Sequence, residues 1–443
     1  MAARVRAALV GSRFSGLLLL LLSACGGQAA KSGRGVATHG GSGGVPDGAS
    51  GVAGSPSSAG ATQSSGGTAE QPAGGAATSL GGNETQPGGA TSSGGAAVVT
   101  PEPPHPYRAL QIVTGALHAC ALLEDHRVKC WGLNGYGQLG IGDTQSRGLL
   151  ATEMGDALPF VELGAGRSAK ALAAGRYTTC AILDDDSLKC WGLDLFIRQP
   201  SGDGQLGDRP GEMGDKLPRI PLGAAHTAKQ VAIGWYDACV ALDDDSYFCG
   251  GTSNAGTPVP AAQQGKLLRL FGAIGVLGLF DTDAQVRTIS PSAGAPSGYV
   301  KKGVVALAGN DQLICFQLLD GSVDCGGGAY TDVMPASLPP VVDLAVSGSR
   351  LLCALNQQGD VQCWGYPLED VPWAQASQHT LRVPLPRPAV EISGGNDFQC
   401  GLLNDGGVVC WDWSFDRAMP VVARTSGDFT KLERVDLGIA RPE

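Results

Sequence analysis

Two stretches with one shared pattern decide the fold of this chain of 443 residues. Residues 120–132 read Cys-Ala-Leu-Leu-Glu-Asp-His-Arg-Val-Lys-Cys-Trp-Gly, and residues 180–192 read Cys-Ala-Ile-Leu-Asp-Asp-Asp-Ser-Leu-Lys-Cys-Trp-Gly. In each stretch two short apolar runs flank a polar centre, which is the pattern of two antiparallel strands joined by a turn. Each stretch is therefore predicted to form a β-hairpin that places its two cysteines opposite each other.

Pairs of cysteines ten residues apart recur along the chain. Setting aside Cys25, twelve of the 13 cysteines fall into six such pairs: Cys120 and Cys130, Cys180 and Cys190, Cys239 and Cys249, Cys315 and Cys325, Cys353 and Cys363, Cys400 and Cys410. Opposed residues at a non-hydrogen-bonded position lie close enough for a disulfide, and an exported chain meets an oxidising compartment. Six hairpin disulfides are the favoured interpretation. Free buried cysteines and metal binding are the alternatives, although zinc sites favour ligands two to four residues apart.

The spacing of the pairs indicates seven repeats. First cysteines at 315 and 353 are 38 residues apart, whereas those at 239 and 315 are 76 apart, so one unit lacks its cysteines. Residues 278–288 fit the hairpin pattern in that gap, with Gly278 and Thr288 at the cysteine positions. Each hairpin follows a small-residue strand such as residues 171–175 and a more distant strand such as residues 159–163. Four short strands repeated seven times predict an all-β fold, a seven-bladed β-propeller.

The N-terminus is predicted to be a lipoprotein signal peptide over residues 1–24. Arg4, Arg6 and Arg13 precede the apolar run 14–22, which is much shorter than the roughly 20 residues that span a bilayer. The following Leu-Ser-Ala-Cys resembles the bacterial lipobox and implies cleavage before Cys25, lipidation of Cys25 and anchoring in the membrane through that lipid. An ordinary secretory signal with an incidental cysteine is the alternative.

Residues 25–106 are predicted to be the lipidated cysteine followed by a flexible linker. Residues 26–100 contain no Phe, Trp or Tyr and are rich in Gly, Ser, Ala and Pro, so they cannot bury enough surface to fold. Gly26, rather than Asp, follows the cysteine, which by resemblance to the usual sorting rule favours the outer membrane. We expect a lipid-anchored protein of the cell envelope, at the outer membrane or surface of a Gram-negative bacterium.

The first two units resemble the regulator of chromosome condensation repeat. The first contains Gly137-Gln138-Leu139-Gly140 after its hairpin, and the second contains Gly204-Gln205-Leu206-Gly207-Asp208. Later units keep less of the pattern, since Gly250 and Gly326 replace the tryptophan that follows the second cysteine. The resemblance implies a closed seven-bladed propeller over residues 107–443, similar to bacterial surface proteins of the family. It implies a fold more firmly than a function.

The sequence predicts no catalytic, cofactor-binding or metal-binding residue. The runs 184–186 and 243–245 are aspartates that could bind calcium, but they occupy hairpin turns, where Asp is ordinarily a turn former. His118 is expected to pack or form a hydrogen bond. The tryptophans at the repeated position (Trp131, Trp191, Trp364 and Trp411) are expected to pack between blades. Trp235, Trp373 and Trp413 depart from that phase and are candidates for exposed contacts.

The favoured function is a monomeric, non-catalytic head that binds another protein or a glycan of unidentified nature. A net charge of -10 and a pI near 5.1 argue against nucleic acid as a partner. The first two units are longer than the middle ones, so residues 132–159 and 192–222 are expected to project as recognition loops. A propeller enzyme acting on polysaccharide, with carboxylates and histidines at the central funnel, is the alternative. A structural envelope component is a further one.

Overall fold

The computed structural model describes most of the chain from residue 104 to residue 440. The described segments are 104–193, 204–223, 226–234, 237–251, 267–273, 276–281, 285–290, 295–309, 314–326, 338, 341–347, 351–365, 380–396, 398–412 and 432–440. Cys25 and nearly all of the predicted linker lie outside these segments, so the signal peptide, the lipid anchor and the linker stay predictions.

The described segments form seven antiparallel sheets of three or four strands and one small sheet that joins the two ends. The strands are β1 (His105–Pro106); β2 (Ala109–Thr114), β3 (His118–Leu123) and β4 (Val128–Gly132) in sheet 1; β5 (Ala169–Ala174), β6 (Thr178–Leu183), β7 (Leu188–Leu193) and β8 (Gln205–Leu206) in sheet 2; β9 (Ala228–Ile233), β10 (Asp237–Leu242) and β11 (Tyr247–Gly251) in sheet 3; β12 (Leu267–Ala273), β13 (Val276–Asp281), β14 (Gln285–Ser290) and β15 (Ala295–Lys302) in sheet 4; β16 (Val304–Gly309), β17 (Ile314–Leu318) and β18 (Val323–Gly326) in sheet 5; β19 (Val341–Ser347), β20 (Leu351–Asn356), β21 (Val361–Gly365) and β22 (Thr380–Arg382) in sheet 6; β23 (Ala389–Gly394), β24 (Phe398–Leu403) and β25 (Val408–Asp412) in sheet 7; and β26 (Ile439–Ala440).

The only helical turns in the described segments are three short 3₁₀ turns, Ala151–Glu153, Gly155–Ala157 and Gly214–Lys216. Those segments contain no helix long and apolar enough to cross a membrane. The prediction of an all-β fold is therefore confirmed.

Each predicted hairpin places its two cysteines opposite each other. Cys120 faces Cys130 in the register of β3 and β4, and the same register recurs in the other five cysteine-bearing hairpins. The Cα atoms of each pair lie 4.0 to 4.1 Å apart and all six pairs form disulfides. Gly278 faces Thr288 at the equivalent position of β13 and β14, so sheet 4 keeps the hairpin without the cysteines.

The repeated tryptophans pack between neighbouring sheets. Trp131 of sheet 1 lies in one apolar cluster with Cys400 and Cys410 of sheet 7, and Trp191 of sheet 2 lies in another with the sheet 1 disulfide. Trp411 packs in the same way with the sheet 6 disulfide, and Trp364 packs with Cys315 of sheet 5. Each ring thus covers a disulfide of the preceding sheet, in agreement with the packing role that the sequence predicts.

A belt of side chains from the first strands joins successive sheets. The amide of Gln111 donates to the carbonyl of Leu172 at 3.0 Å and accepts the Leu172 N–H at 2.8 Å, and Gln230 makes the same pair of bonds with Leu270. At the equivalent position of β19 the carboxylate of Asp343 accepts the N–H of Ile392 at 3.1 Å. Backbone groups of one sheet are therefore satisfied by a side chain of the preceding sheet.

Glu391 continues this belt from sheet 7 back to sheet 1, because its carboxyl group accepts a hydrogen bond from the Ile112 backbone. The first strands of successive sheets contact one another in chain order, and β23 of sheet 7 contacts β2 of sheet 1. Segments that connect several sheets lie outside the described residues, and the count of seven blades in a closed ring stays a prediction.

The two ends of the described chain are joined. In the small sheet, His105 pairs with Ala440 and Pro106 pairs with Ile439, and the N–H of Tyr107 donates to the carbonyl of Gly438 at 3.0 Å. The C-terminal segment also bridges sheet 7, where Arg434 faces Val409. Residues 434–440 therefore hold the start of sheet 1 against the edge of sheet 7.

Candidate recognition surface

The long segments of the first two units fold back onto the body of the protein. The sequence predicts that residues 132–159 and 192–222 project from it, but Leu139, Leu158 and Leu217 are all 1% exposed or less. Each buried leucine removes apolar surface from water and draws its segment inward. The prediction of projecting loops is therefore wrong for the described parts of these segments, while residues 194–203 lie outside the description.

Asn134 fixes the shape of the first of these segments. Its amide nitrogen donates to the Asp143 carbonyl at 2.7 Å, and its amide oxygen accepts the Leu139 N–H at 2.9 Å. Within the same segment, the side-chain oxygen of Gln138 accepts the Tyr136 N–H at 2.8 Å. Asn134 and Gln138 are buried, so these bonds satisfy polar groups that are costly to leave unpaired. Residues 134–143 consequently form a rigid turn.

This turn packs directly on the second unit. The Gln138 carbonyl accepts hydrogen bonds from the Trp191 indole at 3.0 Å and the Thr179 hydroxyl at 2.9 Å. Gly140 has φ +66°, and a Cβ atom there would lie 2.7 Å from the indole nitrogen of Trp191. Glycine is required at this position both by the backbone conformation and by the approach of the ring.

Tyr136 of this turn belongs to an aromatic cluster, which consists of Tyr136, Tyr177 and Arg176. The rings of Tyr136 and Tyr177 stack with their centroids 4.4 Å apart and their planes at 21°, and the Arg176 guanidinium lies 4.6 Å from the Tyr177 centroid. Tyr136 is 36% exposed. Tyrosine and arginine are enriched where proteins bind partners, because they offer large, rigid contact areas with polar groups at the end. The cluster is the candidate recognition surface.

Two buried lysines hold backbone carbonyls of the segments that follow the hairpins and of the C-terminal segment. Lys189 donates from its ammonium to the carbonyls of Leu163 and Gly214, both at 2.8 Å. Lys129 occupies the same position in sheet 1 and donates to the carbonyls of Gly155 and Leu437. Burial lowers the pKa of both amines from the ordinary value. Their hydrogen bonds hold the ends of the returning segments in place and serve as structural contacts.

His118 is buried as the sequence predicts for a packing residue. Its Nε2 atom lies 2.9 Å from the Thr179 hydroxyl of sheet 2. Complete burial lowers the pKa of His118 to about 3, because desolvation penalises the charged ring. The imidazole is therefore neutral over the physiological range, and its hydrogen bond joins sheets 1 and 2.

The aspartate runs form hairpin turns, in agreement with the turn role that the sequence predicts. Asp185 accepts the N–H and hydroxyl of Ser187, and Asp244 makes the same pair of bonds with Ser246. Asp186 and Asp245 have φ of 60° and 64°, a conformation that Asp tolerates better than most residues. In the described segments, one group of three side chains could supply metal ligands, namely His226, Asp243 and Asp244.

A propeller enzyme would need carboxyl groups that act as an acid and a base. Among the described residues, we consider Asp343 and Glu391 for that role. Burial and the charge of Asp343 raise the pKa of Glu391 to about 8. Both carboxyl groups, however, accept backbone N–H groups of the next sheet and belong to the belt. Their hydrogen bonds give them a joining role and do not orient them as an acid and base pair.

Sequence reasoning did not identify the aromatic cluster. The three tryptophans that it proposed for exposed contacts, Trp235, Trp373 and Trp413, lie outside the described residues. The sequence contains one local indication of an exposed aromatic contact, because Tyr136 is an aromatic residue between two glycines in a polar segment. Its stacking partner comes from the next unit, 41 residues later in the chain, and no local pattern connects the two.

The protein belongs by its fold to the propeller class of repeat proteins. Its antiparallel sheets carry hairpin disulfides, tryptophans pack between the sheets, and the two ends of the described chain pair with each other. Residues 110–138 and 169–196 match the regulator of chromosome condensation (RCC1) repeat, and a second match to the RCC1 repeat covers residues 125–182. The chain carries repeats of this family, and the resemblance seen in its sequence is confirmed.

Relatives and solved structures give the extent of the similarity. The chain is 32% identical over 131 residues to the ultraviolet-B receptor UVR8 of Arabidopsis thaliana, which covers 30% of this chain and 26% of that protein. The chain thus matches about a quarter of that relative's length. The CRINKLY ectodomain of the Arabidopsis thaliana receptor kinase ACR4 has a TM-score of 0.47 at 18% identity, over 72% of this chain and 98% of that one. Prp20p of Saccharomyces cerevisiae has a TM-score of 0.46 at 17% identity, over 70% and 83%.

Proposed function

We propose that this protein is a non-catalytic binding scaffold that captures another protein through the aromatic cluster. The observation that carries the proposal is the exposed Tyr136 ring, stacked on Tyr177 of the next unit and held by a turn whose polar groups are satisfied. A pre-organised aromatic surface loses little conformational entropy on binding. A glycan is the second candidate ligand, because an exposed tyrosine ring also offers an apolar face to a sugar.

The repeat family supports a role in protein binding. The solved structure of Prp20p is described with its binding properties to Gsp1p and histones, so that relative of similar fold binds proteins. The same activity is proposed here only as a class, since a shared fold does not transfer a partner. The net charge of -10 disfavours an anionic partner and is compatible with a neutral or basic protein surface.

We further propose that the scaffold is a lipoprotein of the cell envelope, anchored through Cys25. The support is the lipobox-like Leu-Ser-Ala-Cys after a short apolar run, together with six disulfides that require an oxidising compartment. Replacing Cys25 by serine should move the full-length protein from the membrane fraction to the soluble or precursor fraction. Retention of a mature C25S protein in the membrane fraction would argue against lipid anchoring.

The binding proposal is tested by crosslinking on intact cells that express the tagged full-length chain. The Tyr136→Ala variant should lose the captured partner, because the exposed ring of the cluster is gone. Leu150→Ala is the matched control, since Leu150 is 59% exposed on the same long segment and outside the cluster; this variant should retain the partner. If the Y136A variant and the wild type captured the partner equally, the proposal would be wrong. Capture of glycans but no protein on parallel arrays would favour the second candidate.

A point variant is a sharper probe than deletion of the second long segment. Deleting residues 197–215 would remove the Gly214 carbonyl that Lys189 binds and the Gly207 carbonyl that accepts the Gly142 N–H at 3.1 Å. A loss of capture would then reflect lost structure as much as lost contact. Tyr136→Ala removes only the outer ring of the stack.

A further inference from the structure

The turn of the third hairpin holds an imidazole against two carboxylates. The Nδ1 atom of His226 lies 3.2 Å from Oδ1 of Asp243 and 3.9 Å from Oδ2 of Asp244. One ligand atom from each of the three side chains lies within 4.8 Å of the others. All three side chains are exposed to solvent, so an ion can reach them without rearrangement of the fold.

The second hairpin shows what the same position does when it carries a permanent charge. Arg167 stands at the place of His226, two residues before the alanine that begins each first strand, and its guanidinium pairs with Asp184 at 3.1 Å and Asp185 at 2.9 Å. The chain therefore places a cation between the two carboxylates of this turn. In the third hairpin a side chain that can be neutral replaces that cation.

The two carboxylates of the third turn have no other described cation. Lys229 pairs with Asp245, the third aspartate of the run. Among the described side chains, His226 is the one basic group within ion-pair distance of Asp243 or Asp244. The three side chains therefore offer two carboxylates and one imidazole nitrogen as ligands.

The site is held in shape before any ion binds. Thr227 donates its N–H to Asp243 at 3.3 Å and accepts the Asp243 N–H through its carbonyl at 3.2 Å, which fixes the two segments against each other. Asp244 uses Oδ1 for Ser246, so Oδ2 stays directed at the histidine. The Cys239–Cys249 disulfide closes the hairpin beneath the turn.

Ligand chemistry selects the class of ion. Imidazole nitrogen suits zinc, copper, iron and nickel, whereas calcium and magnesium prefer oxygen ligands alone. Three protein ligands with an open position are typical of zinc sites that keep a water molecule. When Nδ1 binds the ion, the imidazole proton resides on Nε2, and the ion takes the place of the contact between Nδ1 and Asp243.

We propose that His226, Asp243 and Asp244 form a surface site for a divalent transition-metal cation such as Zn²⁺. The site occupies the third unit, whereas the aromatic cluster lies between the first and second, so the proposal is independent of the binding function above. The second unit supplies the matched comparison, because its arginine already satisfies the same pair of carboxylates.

The test is calorimetric titration of the purified full-length protein with Zn²⁺. The His226→Arg and His226→Ala variants should each weaken binding at this site at least tenfold, and Asp244→Asn should weaken it as well. His226→Arg recreates the ion pairs of the second hairpin, which preserves folding. His105→Ala is the control, since among the described residues His105 lies beside one carboxylate, Glu124, at 3.5 Å; this variant should keep the wild-type affinity.

Equal zinc affinity in wild type and H226A would overturn the proposal. Calcium that competes for the site as strongly as zinc would also overturn it, because the imidazole would then contribute nothing. Circular dichroism and a count of free thiols on each variant verify that the hairpin and its disulfide remain formed. A variant that fails this check is replaced by Asp244→Asn, whose affinity must fall for the proposal to stand.

Discussion

The ammonium of Lys129 donates a hydrogen bond to the carbonyl of Leu437 at 2.9 Å, although the two residues lie 308 positions apart in the chain. The same ammonium binds the Gly155 carbonyl at 2.8 Å and lies 4.6 Å from the centroid of the Phe160 ring. One buried side chain of sheet 1 therefore holds the C-terminal segment and the returning segment of its own unit together.

Replacing Lys129 by methionine should destabilise the protein and loosen its C-terminus. The apolar side chain keeps the volume but removes both hydrogen bonds of the ammonium. The Leu437 carbonyl then loses this donor, whereas the Gly155 carbonyl keeps the Leu158 N–H at 3.2 Å. The loss should lower the free energy of unfolding by about 2 kcal/mol. Urea unfolding measures this change, and hydrogen exchange of residues 435–440 measures the loosening. Lys189→Met is the matched control, because Lys189 binds carbonyls inside the second unit; it should lower stability without faster exchange at the C-terminus. Equal exchange of that segment in K129M and wild type would contradict the assigned role.

Glu391 should make the protein less stable as the pH rises from 6.5 to 8. Its pKa is about 8 in the folded chain and 4.5 in the unfolded chain, so the folded state binds a proton that the unfolded state has released. Stability therefore falls with rising pH across this window, by about 1 to 2 kcal/mol. His118 is neutral in the folded state because burial lowers its pKa to about 3, whereas its ordinary pKa of 6.5 leaves it half protonated in the unfolded chain at pH 6.5. Its deprotonation in the unfolded chain raises stability by only about 0.4 kcal/mol across the window, so the effect of Glu391 dominates.

The check is the pH dependence of urea unfolding in wild type and Glu391→Gln. The amide cannot titrate, so the slope between pH 6.5 and 8 should flatten in the variant. Asp343→Asn removes the negative charge that helps to raise the Glu391 pKa, so it should lower that pKa and move the loss of stability to lower pH. Identical slopes in wild type and E391Q would show that Glu391 does not hold a proton in the fold.

Gly140→Ala should separate the first turn from the second unit. The new methyl group would meet the Trp191 indole in a backbone conformation that alanine rarely adopts, at a cost of about 2 kcal/mol. Gly135→Ala is the control in the same turn, because a Cβ atom there has no neighbour within 4 Å. Tryptophan fluorescence during unfolding compares the two, and similar midpoints for G140A and G135A would refute the close approach.

Introducing cysteines at Gly278 and Thr288 should create a seventh disulfide. The two residues face each other in the register that joins cysteines in the other hairpins. Closing so short a loop is worth about 2 to 3 kcal/mol by restriction of the unfolded chain. Alkylation under non-reducing conditions should reveal no more free thiols in the double variant than in wild type, whereas Gly278→Cys alone should show one more. Two additional free thiols in the double variant would mean that the hairpin is not equivalent to the others.

The hairpins and their disulfides could be predicted because one chemical choice repeats at a fixed spacing. Cysteine ten residues from cysteine, around a polar centre, leaves little freedom in register, and even the unit at Gly278 and Thr288 follows from it. The tryptophan after the second cysteine packs between sheets for the same reason. Each feature depends on residues that are close together in the sequence, so a local sequence pattern is enough to predict it.

The belt and the aromatic cluster could not be predicted because their chemistry does not repeat in every unit. The equivalent position of the first strands is glutamine in sheets 1 and 3 (Gln111 and Gln230), but it is Ala171 in sheet 2, Asp343 in sheet 6 and Glu391 in sheet 7. Each polar member binds backbone atoms of another sheet, which become neighbours only when the sheets assemble. The long segments were expected to project because the first two units are longer than the middle ones, and length alone does not show that leucines such as Leu139 and Leu217 pack inward.

The small sheet of His105–Pro106 and Ile439–Ala440 has a mechanical consequence for a tethered protein. If the chain is anchored at Cys25, any pull on the body reaches it through Pro104 and is delivered first to these two pairs and to the Tyr107–Gly438 hydrogen bond. The same few bonds that join the ends would then carry the load. Tension on the anchor would act directly on the pairing of the two ends. The first structural response to force would be the separation of His105–Pro106 from Ile439–Ala440.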